Sequence, residues 1–166
     1  MAEKSATIKK LHDRFGDRFD VVPSIDMDTI EIERKLLIDV CSFLRNEDDL
    51  DFDLLRDVTC VDYINEKPRF EMVYHLYSIF HGHEARVKVR LEEQDPTIDT
   101  LTGIWVGADW YEREVYDMYG VKFNGHPDLR RILLYPEFEG HPLRKDYPID
   151  KEQPLVKERE ETKGVR

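Results

Sequence analysis

The first half of the chain changes between helical and extended hydrophobic patterns. Apolar residues recur at helical spacing in residues 6–16 and 35–46, and Gly16 ends the first of these segments. Residues 28–34 and 54–63 have the alternation of half-buried strands. We therefore expect a short N-terminal helix followed by a strand–helix–strand unit.

The clearest pattern belongs to a hairpin. Residues 69–80 are rich in aromatic and aliphatic side chains, and residues 83–93 alternate strictly between apolar and charged positions. The short link between them predicts antiparallel pairing, with one face of the sheet in the core and the other wet or covered by a partner. After the hairpin, residues 94–108 form a connector in which we expect a short helix near Ile98.

The stretch "DWYEREVYDMYG" predicts a helix of about three turns over residues 109–120. Asp109 and Glu112 have the spacing of a capping box, and Gly120 fits a left-handed C-terminal cap. Aromatic and charged side chains surround the apolar stripe of this helix, which is formed by Tyr111, Val115 and Met118. Contacts on several faces of the helix would explain this composition.

The C-terminal segment has a different character, because prolines recur every six residues from Pro136 to Pro154. Proline disfavours both long helices and central strands, yet disordered tails seldom contain the apolar residues found between these prolines. We predict an α+β domain with a mixed or antiparallel sheet over residues 1–125, followed by an extended arm over 126–166. The arm either lies along a partner or folds back on its own domain.

Charge narrows the choice of partners. The first 120 residues contain 15 Lys and Arg against 27 Asp and Glu, whereas the last 46 contain 10 against 9. An acidic body argues against nucleic-acid binding, which requires cations to displace phosphate counterions. No apolar run approaches the ~18 residues that a membrane helix needs, and the charged N-terminus does not resemble a secretory signal.

Candidate chemistry is sparse. Cys41 and Cys60 are too few for an iron–sulfur cluster or an all-cysteine zinc site within one chain, and both fit buried positions. Glu114 and Asp117 could form a carboxylate pair with one raised pKa, but the helix offers no nucleophile beside them. Ion pairing is the preferred interpretation, with partners among Arg113, Arg130, Arg131, Arg144 and Lys145. Histidines near the hairpin turn are interpreted as surface residues and not as metal ligands, and no catalytic or cofactor-binding residue is predicted.

The segment "EREVYDMYGVKFNGHPDLRRIL" resembles the signature of the thirty-kilodalton (C) subunit of respiratory complex I. The segments "EGHPLRKDYP", "LLRDVTCVDY" and "RFEMVYHLYS" also resemble this family, so that the similarity spans most of the chain. The signature positions, together with the charged and aromatic residues of the closing segment, are the predicted partner-interface residues: Glu112, Arg113, Glu114, Asp117, His126, Arg130, Arg131, Arg144, Lys145, Asp146 and Tyr147.

The resemblance implies a cofactor-free peripheral member of proton-pumping NADH:quinone oxidoreductase. Its partners would be subunits D, B and I of that complex, and the main one would be the first of these, the large subunit that helps form the quinone site. FMN, iron–sulfur clusters and quinone would belong to partner subunits. The expected location is the cytoplasmic side of the inner (plasma) membrane, without direct insertion. Two alternatives stay open: an equivalent position in an energy-converting hydrogenase or other quinone-linked complex, and a free-standing enzyme that uses Glu114 and Asp117.

Overall fold

A computed structural model describes residues 5–154 of the protein. Within these residues the chain forms three α-helices and seven strands. In chain order they are α1 (Ala6–Phe15), β1 (Phe19–Val21), β2 (Asp28–Ile32), α2 (Leu37–Asn46), β3 (Leu54–Asp62), β4 (Phe70–Tyr77), β5 (Glu84–Leu91), β6 (Thr97–Asp99), α3 (Ala108–Tyr119) and β7 (Lys122–Asn124). One turn of 3-10 helix, Arg34–Leu36, leads into α2.

Five of the strands form a mixed sheet in the order β1-β2-β5-β4-β3. The β4–β5 hairpin pairs Phe70 with Leu91 at one end and Tyr77 with Glu84 at the other. Strand β2 lies parallel to β5, whereas every other neighbour in this sheet is antiparallel. The predicted α+β class with a mixed sheet is therefore confirmed.

The hydrophobic core lies against one face of the sheet. On β5 the buried positions alternate with half-buried charged ones, as the sequence predicts, so that Val87 and Val89 face the core. Lys88 and Arg90 lie on the other face and pair with the carboxylate of Glu71 on β4. The helices contribute their apolar stripes to the same core, including Leu11, Val40, Cys41, Leu44 and Val115.

Both cysteines are free and buried, as predicted. Burial raises the pKa of the Cys60 thiol to about 12 and raises the pKa of Cys41 further. A thiol with so high a pKa stays protonated at neutral pH and is a poor nucleophile and a poor metal ligand. These residues therefore act as small hydrophobic core residues.

The expected short helix near Ile98 is wrong, because residues 97–99 form β6. This strand pairs in parallel with β7, and Ile98 lies opposite Phe123 with both side chains buried. A three-residue strand is too short to show alternation, and its partner lies more than twenty residues away along the chain. The pattern of nearby residues consequently gave no signal for β6, β7 or the edge strand β1.

The capping box at the start of α3 is also wrong. The helix begins at Ala108, and its flanking residue Gly107 has no side chain that could cap it. The Glu112 carboxylate turns instead toward the preceding loop, where it accepts a hydrogen bond from the backbone N–H of Leu101 at 2.7 Å. The C-terminal prediction is confirmed, since Gly120 adopts the left-handed conformation with φ 77°.

The described part of the arm contains no helix or strand after residue 124. It runs back along α3 toward the end of the sheet formed by β3 and β4. Of the two alternatives for this segment, packing on its own domain is the one that the described residues adopt, through the contacts given below. Residues 155–166, which the predicted arm includes, lie outside the described residues.

Candidate partner interface

Asp117 on α3 holds the beginning of the arm. Its side chain is fully buried, and one carboxylate oxygen accepts hydrogen bonds from the backbone N–H groups of Ile132, Leu133 and Leu134 at 3.0, 2.9 and 2.9 Å. The other oxygen lies 2.6 Å from the Arg131 guanidinium. Three successive amides and one guanidinium therefore surround a single carboxylate.

The electrostatics of this site favour the ionised acid. Burial by itself raises the pKa of Asp117, but hydrogen bonds from the amides and from Arg131 outweigh it, and the pKa lies below its ordinary value. Removing one member of a buried ion pair costs about 3–5 kcal/mol. Asp117 is thus a permanent anion with a structural role, and a general-acid role would need the opposite pKa shift.

Further polar contacts continue along the arm. Arg131 also donates to the carbonyl oxygens of Phe138 and Gly140 at 2.9 and 3.0 Å, which closes the arm into a loop. The Nδ1 atom of His141 lies 2.9 Å from the carbonyl oxygen of Asp117. Arg144 donates from Nε to the carbonyl oxygen of Tyr119, the last residue of α3. The free carbonyls at the C-terminal end of α3 are satisfied by the arm in this way.

Gly120 makes this close approach possible. A Cβ atom at this position would lie 2.6 Å from the His141 ring and 2.7 Å from the Arg144 guanidinium. The left-handed backbone conformation would also strain any L-residue there. Glycine at position 120 therefore ends the helix and leaves room for the arm.

A second buried ion-pair network is centred on Arg69, which is not among the residues predicted from the sequence. The guanidinium is 4% exposed and forms two 2.7 Å hydrogen bonds with the buried carboxylate of Asp62. It also contacts Glu93 at 2.5 Å and Asp146 of the arm at 2.8 Å. One cation thereby joins β3, the chain after β5 and the arm, and it keeps the pKa of both Asp62 and Asp146 below the ordinary value.

The closing segment of the arm completes this network. The backbone N–H of Lys145 donates to Asp62 at 2.8 Å, and the Arg144 guanidinium lies over the Phe70 ring at 5.1 Å from its centroid. Tyr147 stacks on Phe138 with ring centroids 6.1 Å apart. The signal for Arg69 in the sequence was an arginine at the start of an otherwise apolar strand, which requires a buried acid in the fold but does not identify it.

A third cluster surrounds Glu112. The side chains of Glu112 and His126 are both fully buried, and the His126 Nε2 atom lies 4.0 Å from Glu112 and 3.4 Å from the carboxylate of Asp109. Thr100 donates its hydroxyl to Glu112 at 2.5 Å. Burial raises the pKa of Glu112 to about 7, hydrogen bonds from Thr100 and Leu101 lower it, and the charge of Asp109 raises it.

The remaining predicted residues lie at the surface. Glu114 is exposed on α3 and forms no ion pair or hydrogen bond within residues 5–154. Arg113 donates to the carbonyl oxygens of Arg130 and Arg131, and its guanidinium lies 5.4 Å from the centre of the Trp110 ring. The carboxylates of Glu114 and Asp117 have different surroundings, which opposes their use as a catalytic pair.

Several large apolar side chains remain exposed near α3 and along the arm. They are Val106, Trp110, Leu133, Tyr135, Leu143 and Ile149. Exposed apolar side chains that recur along one segment are typical of protein–protein contact surfaces. In the part of the chain described here, no group of three or more His, Cys, Asp or Glu residues could hold a metal ion. Over the same residues, no helix is long and apolar enough to cross a membrane.

Comparison with known proteins connects this geometry to one family. Residues 30–153 match the model of the family described as respiratory-chain NADH dehydrogenase, 30 Kd subunit, so the match continues through most of the arm. The NADH-quinone oxidoreductase C subunit of Geobacter sulfurreducens is 44% identical over 151 residues, which cover 90% of this chain and 92% of that protein. The protein of the same name from Coxiella burnetii is 40% identical over 181 residues, covering 90% and 80% of the two chains.

Solved structures agree with these sequence relationships. A trypsin-resistant fragment of Nqo5 superposes with a TM-score of 0.64 at 27% identity and covers 74% of this chain and 99% of the fragment. A chain of a membrane-bound sulfane sulfur reductase, an archaeal respiratory membrane complex, gives a TM-score of 0.73 at 26% identity, covering 86% and 84%. The chain belongs to the family of the 30-kilodalton subunit of respiratory-chain NADH dehydrogenase.

Proposed function

We propose that this chain is a non-catalytic, cofactor-free component of a proton-pumping NADH:quinone oxidoreductase, on the cytoplasmic side of the inner (plasma) membrane. Among subunits D, B and I, it would bind chiefly the first, the large quinone-site subunit, and lie near the other two. FMN, iron–sulfur clusters and quinone would be held by partner subunits. Its contribution would be to hold neighbouring subunits in fixed relative positions, on which electron transfer and quinone reduction depend.

The row of exposed apolar side chains along the arm is the observation that carries this proposal. The buried anchors at Asp117 and Arg69 fix the backbone of the arm, while Leu133 and Leu143 face solvent. A backbone that is already ordered loses less conformational entropy when it binds a partner. The arm is thereby suited to present apolar side chains to another protein of the complex.

The charged residues of the family motif support the same conclusion. Asp117 is saturated by four donors from the arm, and Glu112 is occupied by Thr100 and Leu101. Glu114 is exposed without a partner within residues 5–154. These acids shape the interface-forming segment, and no pair of them is arranged for proton transfer to a substrate.

Recovery of the tagged chain from gently solubilised native membranes, followed by mass spectrometry, tests the proposal. We expect flavin- and cluster-bearing NADH dehydrogenase subunits to be recovered with it. The double variant Leu133→Asp/Leu143→Asp should reduce this recovery, whereas Ile25→Asp, at an exposed apolar residue between β1 and β2, serves as the matched control. Recovery of the chain alone would overturn the proposal.

A second function keeps support from one observation. The archaeal sulfane sulfur reductase chain covers most of this chain with a higher TM-score than the Nqo5 fragment. An equivalent position in a related respiratory membrane complex is therefore the alternative. Recovery of nickel–iron hydrogenase or sulfur reductase subunits, in place of NADH dehydrogenase subunits, would establish it.

A further inference from the structure

The turn between β4 and β5 exposes two large apolar side chains far from the arm. In the hairpin tip, defined as residues 78–83, Ile79 is 62% exposed and Phe80 is 83% exposed. Phe80 lies ten residues beyond Phe70, where the arm contacts the sheet, which at about 3.3 Å per residue separates the two regions by roughly 30 Å. The arm and the hairpin tip therefore lie at opposite ends of β4.

The hairpin tip is held firmly, although it is a surface turn. His83 contacts the carbonyl oxygen of Leu50 at 2.9 Å, and His81 contacts that of Asp48 at 3.1 Å. The two imidazole rings stack with their centroids 5.4 Å apart. The backbone N–H of Ile79 donates to a nearby carboxylate, that of Asp53, at 2.9 Å.

Hydrogen bonds within the turn add to this rigidity. Ser78 is fully buried, its carbonyl oxygen accepts the N–H of Gly82 at 2.9 Å, and its hydroxyl accepts the N–H of His81 at 3.2 Å. Phe80 packs edge-on against the His81 ring at 4.9 Å. An exposed aromatic side chain on an ordered turn can enter a pocket at a small entropic cost, as interface hot spots do.

The charge around the tip limits what can bind there. The segment against which it packs, the acidic loop of residues 47–53, contains five carboxylates among seven residues. Lys10 pairs with Glu47 and Asp49, and Arg45 pairs with Asp51. Within the described residues the other two carboxylates of the loop have no cationic partner, so the surroundings of Phe80 keep an excess of negative charge.

We propose that the hairpin tip inserts Phe80 and Ile79 into an apolar pocket of a second protein of the complex, and that basic side chains rim this pocket. Such a rim would complement the acidic loop and orient the approaching partner. The arrangement gives the chain a second contact surface at the end of β4 opposite the arm. This inference rests on the proposed function, because it makes the chain a bridge between two neighbours in the complex.

Photo-cross-linking in the native complex tests the inference. A photoreactive phenylalanine analogue replaces Phe80 in the tagged full-length chain, and the same analogue at Ile25 serves as the control. We expect position 80, but not position 25, to cross-link to a peptide of another protein of the complex that contains apolar residues next to Lys or Arg. A cross-link to lipid, to a second copy of this chain or to an acidic peptide would overturn the inference, as would the absence of any cross-link.

A substitution supplies an independent readout. We expect Phe80→Ser to reduce co-recovery of the cross-linked protein at least tenfold in moderate salt, while Ile25→Ser leaves it unchanged. Equal urea midpoints for both variants would show that the fold is intact. If the wild-type chain recovers no other protein of the complex, the proposed function fails; if it recovers them but Phe80→Ser recovers as much, only the present inference fails.

Discussion

The two ion-pair networks that hold the arm are built in opposite ways. At Asp117 one buried carboxylate collects four donors, three of which are backbone amides. At Arg69 one buried guanidinium collects three carboxylates, and the one from the arm, Asp146, is 49% exposed. The first network fixes the path of the arm through its backbone, whereas the second holds its distal end through one solvated side chain.

This difference indicates that the arm has a permanent and a releasable part. Water cannot replace the donors of a buried carboxylate without a large desolvation cost, but it can solvate a half-exposed aspartate. The residues near Asp117 should therefore stay docked whenever the domain is folded. The segment around Asp146 should be able to detach while the rest of the arm stays in place.

The largest effect should follow from loss of the buried acid. Asp117→Ala leaves the Arg131 guanidinium and three backbone amides without their acceptor, and we expect the free energy of unfolding to fall by about 3–5 kcal/mol. Urea denaturation of the purified chain measures this. Glu114→Ala, on the exposed side of the same helix, is the control and should change the stability by less than about 0.5 kcal/mol. Similar values for both variants would contradict the assigned role of Asp117.

A second effect depends on pH and concerns the core beneath the permanent part. The folded pKa of Glu112 is raised to about 7 from an ordinary 4.5, so its contribution to stability is fully present below pH 4.5 and is lost as the pH rises through 7. The difference amounts to about 3 kcal/mol. Glu112→Gln mimics the protonated acid and should remove this part of the pH dependence.

Urea denaturation at pH 5, 6, 7 and 8 checks the pH effect. We expect the variant to gain stability relative to the wild-type chain as the pH rises, because only the wild-type chain has to ionise a buried group. His126 and Asp109 face the same site, so His126→Gln serves to separate the titration of histidine from that of Glu112. A constant difference between wild type and Glu112→Gln at all four pH values would refute the assignment.

The smallest effect should come from the releasable part. Asp146→Asn removes one exposed partner of Arg69 but leaves its buried pair with Asp62 intact, so we expect at most about 1 kcal/mol of lost stability. Local opening should nevertheless increase. Limited trypsin digestion should cut faster after Lys145 and Lys151 in this variant than in the wild-type chain, with cleavage after Arg131 unchanged.

Binding to the complex sharpens the same comparison. If the large quinone-site subunit covers the arm, trypsin cleavage after Lys145 should slow when the chain is in the complex, for the wild-type chain and for Asp146→Asn alike. Equal rates for the free and the bound wild-type chain would argue against the arm as the contact surface. The solved Nqo5 fragment, which is trypsin-resistant and matches about three-quarters of this chain, supports the expectation of a protease-stable core.

Sequence patterns predicted the long elements well and the site in part. The hairpin β4–β5 and helix α3 were found because their periodicity extends over eight residues or more. Strands β1, β6 and β7 have three residues each and are defined by partners remote in sequence. Their formation depends on tertiary pairing, which no local pattern contains.

The same reasoning explains the gaps at the candidate interface. Asp117 and Arg131 were identified as charged residues in need of partners, but their pairing depends on the arm folding back, and the proline pattern left that open. Arg69 was missed because one charge in an apolar strand does not reveal which acids surround it. Motif resemblance located the first two residues, while only the fold explains why each has its charge.

The parallel pairing of β2 with β5 has a consequence for how the chain is made. Residues 28–32 leave the ribosome long before residues 84–91, and β2 has no other sheet neighbour except the edge strand β1. The hairpin β4–β5 can form locally as soon as it emerges, whereas β1 and β2 must wait for β5 to provide an edge. The N-terminal part of the sheet is consequently completed late in synthesis, and the arm, which docks on α3 and on the end of β3 and β4, follows after it.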